Sequence, residues 1–249
     1  MKIVIPARYA STRLPGKPLA DIAGRPMITH VFDRAAEALA PEHIYVAADD
    51  KRILDAMRAH GGQAVMTRAD HVSGTDRIAE VASQLGWADN EIVVNVQGDE
   101  PLMPSSLISV VGQCLANDDD AAMATACTRI HEGADVLNPN IVKVVTDAAG
   151  FAHYFSRSAI PHLRGADEPD PSICSYQRHI GIYAYRVSTL KKLTKLPPAP
   201  TEELEALEQL RALYHGLLIK VVEIAQAPPH GVDTPADLDA VRILMEARS

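Results

Sequence analysis

Short apolar runs alternate with helix-period segments through the first 115 residues, and this alternation limits the fold more than any other feature of the chain. Ile3-Val4-Ile5, Ile44-Tyr45-Val46-Ala47, Ala64-Val65-Met66 and Ile92-Val93-Val94 with Val96 read as strands. Between them lie a helix over 26–39, a helix carrying Ile53, Leu54 and Met57 that ends before Gly61-Gly62, and a helix over 75–85 with Ile78, Val81 and Leu85 at i, i+3 and i+7. A further helical spacing covers 105–115. The strands are near-continuously apolar, as strands buried on both faces are. Repeated strand–helix–strand units predict an α/β fold, with a mostly parallel sheet and helices on both faces.

The grammar changes after about residue 118. Asn117-Asp118-Asp119-Asp120 is a charged turn. Apolar runs follow at 121–127, 141–145 and 151–155, and Asp147-Ala148-Ala149-Gly150 reads as a hairpin turn between the last two. Residues 162–177 are rich in Pro, Asp and Ser and read as a loop; 179–185 resumes as a strand. Leu204, Leu207 and Leu210 mark a helix over about 203–213, 219–224 a strand, and 234–246 a last helix. The expected organisation is one domain over 1–249 with a β-rich insertion lobe over about 121–187.

Composition removes whole classes of function. The chain has 249 residues, 47% hydrophobic and 22% charged, which fits a globular protein and not a disordered or rod-like one. No apolar run approaches the roughly 18 residues of a membrane helix, and the run after Met1 is too short for a signal peptide. The formal net charge is −8, which speaks against a general nucleic-acid or membrane binder, since polyphosphate and anionic lipid need a basic face. Cys114, Cys127 and Cys174 are odd in number and lack C-x-x-C spacing. That fits a reducing cytoplasm, without a disulfide framework or structural zinc.

Six segments can carry chemistry. Pro6 to Pro18 places Arg8, Ser11, Arg13 and Lys17 after the first strand. That end of a strand faces the ligand crevice in open α/β sheets, and the three cations could hold a triphosphate by charge-assisted bonds. The loop fits neither a Walker A nor a G-x-G-x-x-G pattern; a solvated basic loop is its plain alternative. Arg68 to Arg77 contains Ser73, Gly74 and Asp76, a capping box at a helix start where anions also bind. Gln97-Gly98-Asp99-Glu100 ends a buried strand, where a carboxylate can serve Mg²⁺ or simply make a turn. In Asp233-Thr234-Pro235-Ala236-Asp237 the last four residues suffice for a helix start, which leaves Asp233 as a spare carboxylate and candidate second metal ligand. Glu205, Glu208 and Gln209 share one side of the 203–213 helix, by default a solvated acidic face. His179 and Tyr183 fall on one face of their strand, with Gly181 leaving that face open.

Taken in order, these segments resemble the 3-deoxy-manno-octulosonate (KDO) cytidylyltransferase family of Gram-negative bacteria. The likeness runs through Ile5–Leu19, Thr67–Arg77, Val94–Pro101, Asn138-Pro139-Asn140, Tyr154–Arg157, Arg178–Tyr183, Leu207–Arg211 and Gly231–Pro235, and so covers essentially the whole chain. The opening Arg-x-x-Ser-x-Arg-Leu-Pro-Gly-Lys is shared with sialic-acid cytidylyltransferases, whereas Gln-Gly-Asp-Glu-Pro and Arg-His-Ile-Gly-Ile-Tyr favour the KDO enzymes. The loop at 162–177 matches least, apart from Arg164.

The resemblance implies a Rossmann-like nucleotidyltransferase (GT-A-like) sheet. It implies that CTP and KDO give CMP-KDO and diphosphate with Mg²⁺, for lipopolysaccharide biosynthesis, in a cytoplasmic homodimer. By the same resemblance Asp99, Lys17 and Asp233 are catalytic, and Asp99 and Asp233 hold the metal. Arg8, Ser11, Arg13, Lys17, Ser73, Gly74 and Arg77 bind the nucleotide. Gln97, Arg157, Arg164, His179, Tyr183, Glu208 and Gln209 bind the sugar acid. The competing readings are a cytidylyltransferase for sialic acid or 8-amino-KDO, and a non-catalytic nucleotide-binding regulator.

Overall fold

The computed structural model describes residues 1–10 and 14–246. It divides into two compact units. The first comprises Met1–Val110, Arg186–Leu190 and the chain from Pro228 onward; the second comprises Val111–Tyr185 and Lys191–Ala227.

The first unit starts with strand β1 (Lys2–Ala7), a short hairpin of β2 (Asp21–Ile22) and β3 (Arg25–Pro26), and helix α1 (Met27–Ala36). Then follow β4 (Ile44–Ala48), α2 (Lys51–His60), β5 (Gln63–Met66), α3 (Gly74–Gln84), β6 (Ile92–Asn95) and α4 (Ser105–Ala116). The strands lie in the order β6-β1-β4-β5 and every pair is parallel. Ile3, Val4 and Ile5 of β1 and Val93 and Val94 of β6 are fully buried. Each such side chain contributes about 1.5–3 kcal/mol relative to exposure. Helix α1 covers β1 and β4 with a stripe of Met27, Ile28, Val31, Phe32 and Ala35. Helix α2 starts on an Asp50 cap and stops at Gly61, a left-handed residue that no side chain favours.

The second unit holds β7 (Met123–Arg129), α5 (Gly133–Leu137), the β8 (Lys143–Thr146)–β9 (Ala152–Ser156) hairpin and β10 (Gln177–Arg186). After α6 (Val187–Leu193) come α7 (Pro200–Glu205), α8 (Gln209–Tyr214) and β11 (Ile219–Glu223). Strand β7 pairs antiparallel with β10 and parallel with β11. The unit thus extends past the insertion expected over 121–187, because β11 returns to pair with β7 along Ile219–Glu223. The architecture is the expected α/β class, a mixed and mostly parallel sheet with helices on both sides. The helix expected over 203–213 is two helices. Ala206 sits at φ 50, in the left-handed region, and ends α7. An ion pair from Arg211 to Glu202 (2.6 Å) ties the corner. Leu204 is 86% exposed, while Leu207 and Leu210 are buried, so no leucine stripe runs across the break.

Helix α9 (Pro235–Glu246) returns the chain to the first unit. It packs Leu238 and Val241 against Ile22, Met27, Leu102 and Val232. That cluster anchors the residues just before α9 beside the ends of β1 and β6.

Candidate active site

The loop after β1 is shaped by Gly16. Its amide donates to the Tyr9 carbonyl (3.2 Å), closing the loop at its base. Gly16 holds φ 69, and a Cβ there would stand 3.2 Å from the Tyr9 hydroxyl oxygen. The chain then enters a short 3-10 turn, Lys17–Leu19, which places Lys17 at a fixed point. Its ammonium donates to Asp99 Oδ2 (2.7 Å), the Val232 carbonyl (3.0 Å) and Asp233 Oδ1 (3.2 Å). Asp99 follows β6 and Asp233 precedes α9. The backbone bond from Val232 N to Asp99 O (2.8 Å) holds the two segments together.

This trio forms part of the wall of a cavity of about 320 Å³. Arg8, Lys17, Ser73, Gly74, Arg77, Gln97, Asp99 and Asp233 all line it. Two segments distant in sequence approach within contact at its wall: a Cβ on Gly98 would lie 2.5 Å from the Pro6 carbonyl oxygen. Ser11 and Arg13 lie outside the described residues.

At the cavity edge Ser73 caps α3. Its hydroxyl accepts from the Asp76 amide (3.2 Å) and donates to the Asp76 carboxylate (3.0 Å). Ser73 is therefore the expected N-cap, with Asp76 bonded to its hydroxyl where a capping box would bond its amide, and Gly74 opens the helix at the cavity wall. Arg77 is 3% exposed. Its guanidinium donates to Thr67 Oγ1, the Arg68 carbonyl and Asp49 Oδ2. Asp49 in turn accepts from the Tyr9 amide (2.9 Å). Arg77 thus braces the loop after β1, and burial, followed by the charge of Arg8, lowers its pKa. Glu100, half-buried beside Asp99, has a buried Oε2 with no hydrogen-bond partner among the described residues, and desolvation pushes its pKa up to about 8.

Two carboxylates converging on one cation form the donor set that Mg²⁺ takes, one or two protein oxygens with the remainder from water and phosphate. The Lys17 ammonium already occupies that position, and the trio keeps one net negative charge. Asp99 and Asp233 therefore fit a divalent cation. No cluster of three or more His, Cys, Asp or Glu suited to a metal occurs among the described residues.

The other expected residues belong to the second unit. His179 and Tyr183 of β10 have ring centroids 5.5 Å apart, and Phe155 of β9 meets His179 edge-on at 5.0 Å. A Cβ on Gly181 would touch nothing within 4 Å, so the face they share is open there. Burial lowers the His179 pKa to about 3. Burial, then Tyr185 and Glu208, raise Tyr183 well above the usual phenol. Gln209, the first residue of α8, is buried, and its Nε2 has no partner among the described residues.

Arg157 is engaged elsewhere. Its side chain donates to the carbonyls of Glu205 (2.6 Å), Pro139 (3.0 Å) and Ala206 (3.5 Å). The Glu205 carboxylate accepts from Ser156 Oγ and the Arg157 amide. Lys143, fully buried, donates to the Asn138, Ile141 and Arg157 carbonyls. The Asn138-Pro139-Asn140 segment is thereby built into the frame of this unit. Arg164 lies exposed in a turn of the 162–177 loop, and no bond among the described residues ties it to the His179 cluster. Sequence reasoning passed over His71, which lines the cavity and pairs with Glu80. It also passed over Thr125, whose hydroxyl touches His179 Nε2 at 3.0 Å. A polar residue inside the apolar run 121–127 was the one available signal for Thr125.

Residues 2–221 match the cytidylyltransferase family. The chain is 55% identical over 251 residues to the 3-deoxy-manno-octulosonate cytidylyltransferase of Hahella chejuensis, covering 99% of this chain and 98% of that protein. It is 54% identical to the enzyme of the same name from Acidovorax ebreus, covering 98% and 96%. Among solved structures, CMP:2-keto-3-deoxy-manno-octonic acid synthetase complexed with CTP superposes with a TM-score of 0.91 at 45% identity, over 100% of this chain and 99% of that one. A cytidylyltransferase from Leptospira borgpetersenii, 17% identical with a TM-score of 0.63 over 99% of this chain and 86% of that one, shares the fold. With near-complete coverage at this level of identity, the chain belongs to the 3-deoxy-manno-octulosonate cytidylyltransferase family.

Proposed function

We propose that this enzyme transfers the cytidylyl group of CTP to KDO, giving CMP-KDO and diphosphate with Mg²⁺. The observation that carries the reading is the meeting of Lys17, Asp99 and Asp233 at the wall of a cavity that Arg8 and the α3 N-terminus also line.

The residues divide the work by charge. Arg8 and Lys17 face the phosphates of CTP, and the α3 N-terminus at Ser73–Gly74 adds amide donors and a positive dipole end. Arg77 acts from behind, by bracing Asp49 and the loop after β1. Asp99 and Asp233 would hold Mg²⁺, which would supply positive charge to offset that of the CTP phosphates. In the reaction the sugar's anomeric 2-hydroxyl attacks the α-phosphate and diphosphate leaves. Such transfers depend mainly on positioning and charge neutralisation, which explains why the residues offered are cations and carboxylates. His179, Tyr183, Glu208 and Gln209 read the sugar acid in the second unit. Gln97, at the CTP cavity, is also assigned to the sugar by family likeness. Arg157 enters as the brace of that unit's frame. Cytoplasmic location, homodimeric assembly and a role in lipopolysaccharide synthesis are carried over from the family resemblance.

Diphosphate release from CTP, with KDO, 8-amino-KDO or sialic acid and with Mg²⁺ or a chelator, tests the reading. KDO- and Mg²⁺-dependent release is expected. Faster turnover of another sugar acid would move the protein to that acceptor. CTP binding with no turnover on any acceptor would favour the regulator.

A further inference from the structure

Strands β7 and β10 pair in register from Gln177 opposite Arg129 to Ile180 opposite Ala126, and then slip, with Tyr183 opposite Thr125. Gly181 and Ile182 have no residue across from them on β7, which makes this a β-bulge. Thr125 lies behind the bulge, fully buried. Its Oγ1 meets three groups: the Ile182 carbonyl at 2.8 Å, the Ile180 carbonyl at 3.1 Å and His179 Nε2 at 3.0 Å.

Proton counting decides the arrangement. A hydroxyl has one proton to give and two lone pairs to receive with. Carbonyls only accept, and two of them converge on this hydroxyl. A bare Nε2 would make a third acceptor around a single proton. If Nε2 carries a hydrogen, the hydroxyl donates to the nearer carbonyl, Ile182, and accepts from the imidazole. Burial keeps the ring neutral, with its pKa lowered to about 3. A neutral ring protonated on Nε2 has a bare lone pair on Nδ1. Phe155 and Tyr183 flank the ring and limit its freedom to turn.

We infer that Thr125 is a positioning residue: its hydroxyl holds the β10 bulge and fixes His179 as the Nε2–H tautomer, so that Nδ1 is presented as a hydrogen-bond acceptor to a hydroxyl of the acceptor sugar. The inference rests on the reading that His179 faces the sugar acid. It adds a specificity. A neutral acceptor receives a hydroxyl and repels a carboxylate, so His179 reads a sugar hydroxyl and leaves the acid group to other side chains.

The test uses ¹⁵N-histidine spectra of the full-length enzyme, His179 being assigned by loss of its signals in His179→Gln, together with steady-state kinetics. The wild-type ring is expected to show the Nε2–H pattern. Thr125→Val keeps the shape and removes the hydroxyl. It should blur that pattern towards a mixture and raise the KM for KDO about tenfold, leaving the KM for CTP within about twofold. Thr125→Ser should restore both. An Nδ1–H pattern in the wild type overturns the inference outright, even if the valine variant does not fold. So does a folded Thr125→Val enzyme with an unchanged ring pattern and KDO kinetics. If His179→Gln itself leaves KDO kinetics unchanged, the reading of His179 as a sugar contact fails, and the inference fails with it. A KDO defect in His179→Gln beside normal Thr125→Val kinetics removes the Thr125 inference alone.

Discussion

Lys17 and Asp99 lie 82 residues apart in the chain and 2.7 Å apart in the fold. The bond joins the loop that leaves β1 to the end of β6, its parallel neighbour. Asp233 adds a second carboxylate to the same ammonium from 216 residues away. The lysine is thus the cation about which two acidic segments fold, in the place where a divalent metal fits. A divalent metal at those oxygens would compete with the lysine for them, which turns the geometry into measurable expectations.

Lys17→Met should lower kcat/KM for CTP by about 100-fold or more, roughly 2.7 kcal/mol of transition-state stabilisation. The variant leaves Asp99 and Asp233 facing each other without their ammonium. Mg²⁺ should therefore raise its Tm more than it raises that of the parent. Thermal melts across a Mg²⁺ series decide the point, and equal shifts in the two proteins would place the metal away from these carboxylates.

Asp99→Asn keeps the shape and removes the charge. Turnover should fall by about two orders of magnitude or more while the fold persists. Diphosphate release measured at limiting Mg²⁺ is the check. Near-normal rates there would falsify the ligand role.

Gly98→Ala tests the close approach of β1 and β6 at the cavity wall. The new Cβ would meet the Pro6 carbonyl oxygen at 2.5 Å, and backbone cannot swing away as a side chain can. A loss of about 1–3 kcal/mol in urea unfolding is expected, with a raised KM for CTP because Pro6 and Gly98 both line the cavity. An unchanged midpoint would show that the two strand ends are free to part.

These contacts mark what could be read from the residues and what could not. The strands other than the short β2–β3 pair, and α1 to α4, could be read from apolar runs and helical spacing, because a buried parallel strand and a one-faced helix leave different patterns. Ser73 and Asp76, and Thr234 and Asp237, form the caps expected from their spacing. The meeting of Lys17 with Asp99 and Asp233 is a tertiary event that no local pattern carries; only likeness to a family joined them. The break at Ala206 went unread because alanine is a good helix former and gives no warning of a left-handed turn. Arg77 and Arg157 showed a different limit. A sequence reveals an arginine but not whether its donors are already engaged by backbone and Asp49, as here.

His179 supplies the pH expectation. Its folded pKa, about 3, lies below the ordinary 6.5. The unfolded chain therefore binds the extra proton first as pH falls, and the neutral ring's contribution to stability, complete above pH 6.5, is lost between there and about pH 3. The slope from this group is at most about 1.4 kcal/mol per pH unit. Urea unfolding at a series of pH values in that window checks it, with His179→Gln expected to flatten the slope. Parallel curves for the two proteins would mean that the ring is as easily protonated in the fold as outside it.

Gln209→Ala is the sharpest test of the sugar pocket. Gln209 is 8% exposed, and its buried Nε2 has no partner among the described residues. An unmatched buried donor costs about 1–3 kcal/mol, so the fold gains nothing from this Nε2 as it stands. A bound hydroxyl or carboxylate would satisfy it. Truncation should therefore lower kcat/KM for KDO about tenfold or more with CTP saturating, while the KM for CTP and the Tm stay near the parent values. The break at Ala206 sharpens the comparison, since Glu205 faces Ser156 and Arg157 rather than sharing a helix face with Gln209. Glu205→Gln should then disturb stability through the Arg157 frame, and Gln209→Ala should disturb KDO use. If Gln209→Ala lowers the Tm and spares KDO kinetics, the amide is a packing element of α8, and the acceptor pocket has to be sought without it.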